Sequence, residues 1–198
     1  MHAATLGHRV GPNAVLQVAA ALTARDGAEA AAKLFAAAGL DAMWRAPPAD
    51  MIDQEDAARL HRALHERLEP AHAALVAADA GRRTADYLLA NRIPKPAQLV
   101  LRALPAGLAT RLLLKAIARN AWTFAGSGQV TVAAGNPATI SIIANPLAMA
   151  PCEWHIAVFQ RLFQALVHRH ATVRETECCG EGAAACRFEI TFPGKRPA

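Results

Sequence analysis

Apolar residues recur at helical spacing through roughly the first 120 positions and at strand spacing only beyond them. From Pro12 onward, Val15, Leu16, Val18, Ala19 and Leu22 fall on one broad face, which predicts a helix that breaks at Gly27. A second helix is expected from about Ala28 to Ala38, ended by Gly39. Trp44-Arg45-Ala46-Pro47-Pro48 reads as a loop, and Asp53 as the N-cap of a helix carrying Ala57, Leu60, Leu64 and Leu68. Pro70 opens the next helix, which runs to about Asn91. Ile93-Pro94-Lys95-Pro96 reads as a linker, because two prolines one residue apart are expected to exclude helix there and force extended backbone, and short helices flank Pro105.

After Gly126-Ser127-Gly128 the period changes. Gln129 to Ala133 and Thr139 to Ala144 are rich in β-branched residues and are separated by Gly135-Asn136-Pro137, the pattern of a hairpin. Pro151 then opens an amphipathic helix carrying Ile156, Phe159, Phe163, Leu166 and Val167. Strands from Ala171 to Glu177 and from Cys186 to Phe192 follow it. The order of helices, hairpin, helix and hairpin predicts an α+β domain with helices packed on an antiparallel sheet. We expect a helical region over 1–92, a ligand-binding α+β region over 93–192 and a tail over 193–198, with the first two folding as one unit.

Composition adds three constraints. Alanine supplies much of the 54% hydrophobic content, which favours closely packed helices. The net charge of +5 draws on a central concentration of Arg82, Arg83, Arg92, Lys95, Arg102, Arg111, Lys115 and Arg119. Neither an RNA-binding sheet pattern nor a DNA-reading motif accompanies it, so nucleic acid is not the expected partner; solvated helix faces, a carboxylate-bearing small molecule or an acidic protein fit better. No apolar run is long enough to span a bilayer, and the first residues lack the layout of a signal peptide, so a cytoplasmic protein is expected. In that reducing compartment four cysteines read as metal ligands or buried thiols rather than disulfides.

The segment from Glu175 through Cys178-Cys179-Gly180-Glu181-Gly182 to Cys186 and Phe188 places thiols on both sides of a Gly-containing turn. A hairpin brings Cys178 and Cys186 together, and a bulge or twist in the incoming strand lets Glu175 reach the same point. Cys152, at the head of the long helix, is the candidate fourth ligand. Thiolate and carboxylate suit zinc in tetrahedral geometry, and four protein ligands leave no position for water, as in a structural site. The spacing is not that of a paired zinc ribbon, and buried structural cysteines are the other reading. Cys179 alternates away from Cys178 and reads as a spare thiol.

This pattern of Glu175, Cys178, Gly182, Cys186 and Phe188 resembles the C-terminal motif of the vinyl-4-reductase-type domain family. That family also occurs in phenol-sensing bacterial transcription activators and is related to the Bet3-like subunits of TRAPP tethering complexes. The resemblance implies zinc at Cys152, Glu175, Cys178 and Cys186 and a Bet3-like ligand-binding fold. The chain's size, its Ala-rich helical N-terminal region and its lack of an attached ATPase or DNA-binding region look most like the bacteriochlorophyll-biosynthesis members. They imply work on a photosynthetic pigment precursor, in a branch named for reducing an 8-vinyl group.

The residues themselves offer little redox machinery. No Gly-rich turn follows a strand to cradle a dinucleotide, no flavin motif is visible, and the cysteines do not match a cluster spacing. His61 and His65 are four apart on a helix, but the glutamate of a metalloprotease pattern is missing, and an exposed helix face is expected there. Trp122, Phe124, Trp154, His155, Phe159 and Phe163 are candidate walls of an apolar ligand pocket, with packed core as the alternative, and His155 is a candidate axial ligand to a pigment's magnesium. Three readings follow. The first is an accessory protein that binds a magnesium-tetrapyrrole intermediate and presents it to pathway enzymes, the second a vinyl reductase with an unseen electron donor, and the third a ligand-free scaffold. A homodimer is the default assembly expected from the resemblance.

Overall fold

The computed structural model describes residues 8–192, so the expected tail over 193–198 lies outside the described residues. Among the described residues, eight α-helices and two sheets follow in order: β1 (Arg9–Val10), α1 (Asn13–Asp26), α2 (Ala28–Ala37), α3 (Asp41–Arg45), β2 (Ile52–Asp53), α4 (Gln54–Arg67), α5 (Pro70–Asn91), α6 (Lys95–Ala103), α7 (Ala106–Arg119), β3 (Gln129–Ala133), β4 (Ala138–Ile143), α8 (Glu153–Leu166), β5 (Thr172–Glu177) and β6 (Ala185–Thr191). The architecture is α+β, as the hydrophobic pattern predicts.

Local chemistry sets most boundaries. Gly27, at φ 90°, separates α1 from α2, and the Asp53 carboxylate accepts from the Glu55 amide at 2.8 Å to cap α4. Two expectations need correction, and one small sheet was not foreseen. Trp44 and Arg45 belong to the short helix α3 rather than to a loop. Pro94 is extended, yet Pro96 sits in the first turn of α6, where a missing amide costs nothing, so the two prolines start a helix instead of forming a linker. A small sheet that the period did not reveal pairs β1 with β2 in antiparallel register, Val10 opposite Ile52.

The 22-residue α5 is the spine, packed against α1 and α8. Its buried face is built from Ala73, Val76, Ala77, Ala80, Gly81, Thr84 and Ala85, small residues that let backbones approach. At Gly81 the approach is closest: a Cβ there would lie 2.4 Å from the Trp154 carbonyl oxygen and 2.8 Å from the Ala157 Cβ. The main sheet has the order β3-β4-β6-β5, antiparallel throughout. Ile140 and Ile142 of β4 and Cys186, Phe188 and Ile190 of β6 join the same buried core as Phe159, Phe163 and Leu166 of α8. That core is continuous from Val10 to Ile190.

Candidate metal centre

Cys152 stands at the N-cap position of α8, Cys178 at the end of β5, Cys186 in β6 and Glu175 in β5. The pairing of β5 with β6 carries a bulge between Glu175 and Glu177, which turns the Glu175 carboxylate toward the thiols. Past Cys178 the chain closes through a 3-10 turn, Cys179–Glu181, to Gly182 at φ 89°, a conformation that glycine adopts without strain. One ligand atom from each of Cys152, Glu175, Cys178 and Cys186 lies within 4.8 Å of all the others.

The distances suit a tetrahedral ion. The Sγ atoms are separated by 3.6 Å (Cys152 to Cys178), 3.7 Å (Cys152 to Cys186) and 4.0 Å (Cys178 to Cys186). A tetrahedron with Zn–S bonds of about 2.3 Å has edges of about 3.8 Å. These separations are far longer than the bond of about 2.05 Å in a disulfide, and all four cysteines are free. The Glu175 Oε2 accepts from the Cys152 amide at 2.8 Å, while its buried Oε1 has no partner. An orphaned carboxylate oxygen beside three thiols is a donor set short of a cation.

Electrostatics point the same way. Cys186 is pulled down to about 6, first by the hydrogen bond from the Cys152 thiol, against burial, and further by the Cys179 amide and the Asn145 side chain. Both of those nitrogens lie 3.3 Å from its Sγ. Cys152 is pushed up by that shared hydrogen bond and by burial, and Cys178 rises to about 12, mainly through burial. One thiolate and two thiols are as much charge as the pocket holds unaided. A dication would take the place of the remaining protons. A cleft of about 360 Å³, lined by Pro151, Ile156, Val173, Glu175, Cys178 and Glu181 among others, connects this corner to solvent.

Asn145 is a member of the centre that sequence reasoning missed. It is buried, it donates to Cys186, and its Oδ1 accepts from the Leu147 amide at 3.0 Å. Ala144, in the left-handed region at φ 51°, turns the chain between β4 and Asn145. An asparagine before a proline just past a strand reads as an ordinary turn, so the sequence held no cue to it. Cys179 donates its amide to the Cys186 sulfur but is not one of the four candidate ligands.

The aromatic candidates separate into groups. Trp122 is exposed on a 3-10 turn after α7 and walls nothing. Phe124, Trp154, His155 and Phe159 pack together with Phe188, with ring centroids 4.8 to 6.5 Å apart, whereas Phe163 lies beside Phe192. His155 is 1% exposed, its Nε2 has no hydrogen-bond partner, and burial holds it down at about 3. His61 is not on an exposed face as expected: it is 2% exposed, its Nε2 meets the Ala14 carbonyl at 3.0 Å, and burial lowers it to about 4. Its place among Ala57, Leu60 and Leu64, at the spacing of a buried stripe, was the available signal.

None of the six aromatic candidates lines the cleft beside Cys178 or a second one. The larger, about 490 Å³, lies between α7 and β3 and is bounded by Arg111, Leu114, Lys115, Ala118, Arg119, Val132 and Ala134.

Comparison with known proteins places this architecture. The family model of the vinyl-4-reductase domain matches residues 140–192, the stretch that holds all four candidate ligands. Two structures of the H-NOX family share the fold. One is an unliganded Fe(II) mutant from K. algicida, with a TM-score of 0.63 and 12% identity over 92% of this chain and 96% of that one. The other comes from work on the function of heme distortion, with a TM-score of 0.60 and 9% identity over 96% and 98%. The bacteriochlorophyll synthase 23 kDa chain of Rhodobacter capsulatus is 39% identical over 96% of this chain and 90% of its own length. The chain of the same name from Cereibacter sphaeroides is 45% identical over 96% and 94%. With that identity sustained from end to end, the chain belongs to the vinyl-4-reductase-domain family of bacteriochlorophyll synthase 23 kDa chains.

Proposed function

We propose that this protein is an accessory factor of bacteriochlorophyll synthesis that binds a magnesium-tetrapyrrole intermediate and presents it to pathway enzymes in the cytoplasm, with zinc stapling its C-terminal hairpin to α8. The relatives' name supports the pathway. The observation that carries the ligand class is the α7–β3 cleft, whose floor of Leu114, Ala118, Val132 and Ala134 is apolar and whose rim is Arg111, Lys115 and Arg119. An apolar floor accepts the face of a macrocycle, and guanidinium groups pair with its carboxylates. Its volume of about 490 Å³ falls within the ~300–1,000 Å³ range of small-molecule sites. The cleft beside the metal centre carries Glu175, Glu177 and Glu181 and would repel such a ligand. That one H-NOX structure is described for its heme adds support from a shared fold.

The test is an absorbance titration of the pure protein with a divinyl magnesium-porphyrin, with and without NADPH. A shifted spectrum without turnover is expected, and Arg111→Gln/Arg119→Gln should weaken binding about tenfold or more. Conversion to the monovinyl product would establish a reductase instead, and an unchanged spectrum would leave a scaffold. For the metal, elemental analysis of reductant-treated protein should find close to one zinc per chain; its absence would overturn the staple.

A further inference from the structure

The amphipathic pattern of α6 is inverted. In α6 the one buried residue is Gln98, whose amide donates to the Leu89 and Ile93 carbonyls at 2.6 and 2.8 Å, while Leu99 and Val100 are 64% and 56% exposed. A single exposed leucine is ordinary, but a helix whose one fully buried residue is a glutamine, with Leu101 half-buried against the core and Leu99 and Val100 both turned outward, is not. The two-residue step Leu104-Pro105 leads into α7, whose outer face carries Leu108, Leu112, Lys115 and Arg119 at intervals of four, three and four residues. Leu108 and Leu112 are exposed, and Trp122, 56% exposed, stands just past the helix end.

The charge on this arm has one sign. Between Asp86 and Glu153 the sequence holds no acidic residue, and its basic residues there are Arg92, Lys95, Arg102, Arg111, Lys115 and Arg119, all exposed. Aliphatic side chains ringed by unopposed cations, with a tryptophan at the margin, complement a surface that is anionic outside and hydrocarbon beneath. None of the helices described is long and apolar enough to cross a membrane, so the geometry is that of an element lying on it.

We infer that the α6–α7 arm docks this protein on an anionic phospholipid bilayer, with Leu99, Val100, Leu108 and Leu112 entering the headgroup boundary and Lys95, Arg111, Lys115 and Arg119 meeting lipid phosphates. The inference shares Arg111, Lys115 and Arg119 with the proposed tetrapyrrole cleft, but Leu99, Val100, Leu108 and Leu112 lie outside that cleft, so aliphatic variants and a vesicle without pigment test it separately.

The experiment is co-sedimentation of the full chain with phosphatidylcholine vesicles and with vesicles of phosphatidylcholine and phosphatidylglycerol at three to one. Binding is expected only to the anionic vesicles, falling steeply with added salt, with each basic side chain worth about fivefold. Leu99→Ser/Val100→Ser should lower vesicle affinity about tenfold or more while its melting curve and porphyrin spectrum stay unchanged, since neither side chain packs inside. Vesicles should shift the tryptophan emission of the wild type to the blue, and Trp122→Phe should remove most of that shift. Failure to bind anionic vesicles, or undiminished binding by the double variant, overturns the proposal. So does sedimentation equilibrium showing a dimer that the double variant dissolves, which would assign the face to a second copy. Capture of one pathway enzyme by a cross-linker at Leu99→Cys without vesicle binding would assign it to a protein and would likewise overturn the lipid reading.

Discussion

Two buried polar clusters meet at the first turn of α8, and they are built on opposite principles. Cys152 faces the sheet, where thiols, a carboxylate, the Cys179 amide and the Asn145 amide converge on one point. Two and three residues later, Trp154 and His155 join His61 in a cluster that is kept neutral: both histidines are held far below their ordinary value by burial, and the Trp154 Nε1 and His155 Nε2 have no partners. The first cluster gathers three sulfurs and a carboxylate that could together hold a cation. The second survives only while no charge forms. On the zinc reading, the first is vulnerable to loss of an ion and the second to gain of a proton.

The largest effect should come from breaking the sulfur cluster. Removing the ion with a strong chelator, or making Cys186→Ala, is expected to cost on the order of 5 kcal/mol, read as a fall in Tm of roughly 10–20 °C. Hydrogen exchange should quicken first in β5 and β6, the strands the centre ties to α8. A melting curve indifferent to chelator would show that the thiols are plain core.

Acid should break the neutral cluster next. The unfolded histidines titrate near ~6.5, and the folded values of about 4 for His61 and about 3 for His155 lie below that. The unfolded chain therefore takes up protons first as the pH falls. The stability is complete above about 6.5 and drains between there and 4 for His61, by about 3 kcal/mol, and down to 3 for His155, by about 5 kcal/mol. Denaturant titrations from pH 7 to 4 in chelator, which removes any contribution from the proposed zinc, should show this loss, and His61→Gln should reduce it.

A third change tests the packing that encloses the neutral cluster. In Gly81→Ala the new methyl group meets the Trp154 carbonyl, a backbone atom that cannot turn aside, so α5 and α8 must separate. The expected cost is about 2–4 kcal/mol by urea denaturation. A cost under about 0.5 kcal/mol would show that α8 shifts freely. Gly107, with nothing near its Cβ position, supplies the control.

These clusters differ as much in how visible they were beforehand. The sulfur centre was legible because three of its ligands lie within twelve residues on one hairpin and the fourth opens the adjoining helix. Short loop closure leaves few ways to arrange them, and the family resemblance supplied the metal. The histidine cluster unites α1, α4 and α8, and no local rule links Ala14, His61 and His155. The paired spacing of His61 and His65 drew attention to a shared face, whereas the apolar stripe of α4 decided which of them turned inward. The overall α+β layout was readable from the change of period near Gly128. The helix begun by Pro94 and Pro96 was not, because proline's veto on helix interiors lapses in a first turn.

The smallest predicted effect is the sharpest discriminator between the clusters. His155 lies among Phe124, Trp154, Phe159 and Phe188, and its Nε2 makes no hydrogen bond. Replacing the imidazole by a phenyl ring removes the desolvation cost of the partnerless Nε2, at the loss of the ring's hydrogen bond to the Phe124 backbone, and adds only a little volume. His155→Phe should therefore leave stability at pH 7 within about 1 kcal/mol of wild type and make the protein more resistant to acid than wild type at pH 4. Swapping Cys152 for valine, equally apolar and equally buried, should instead weaken the metal centre and destabilise the fold by several kcal/mol. If His155→Phe proved as costly as the cysteine change, the imidazole would be holding something its surroundings do not account for, and the neutral cluster would have to be regarded as a site in its own right.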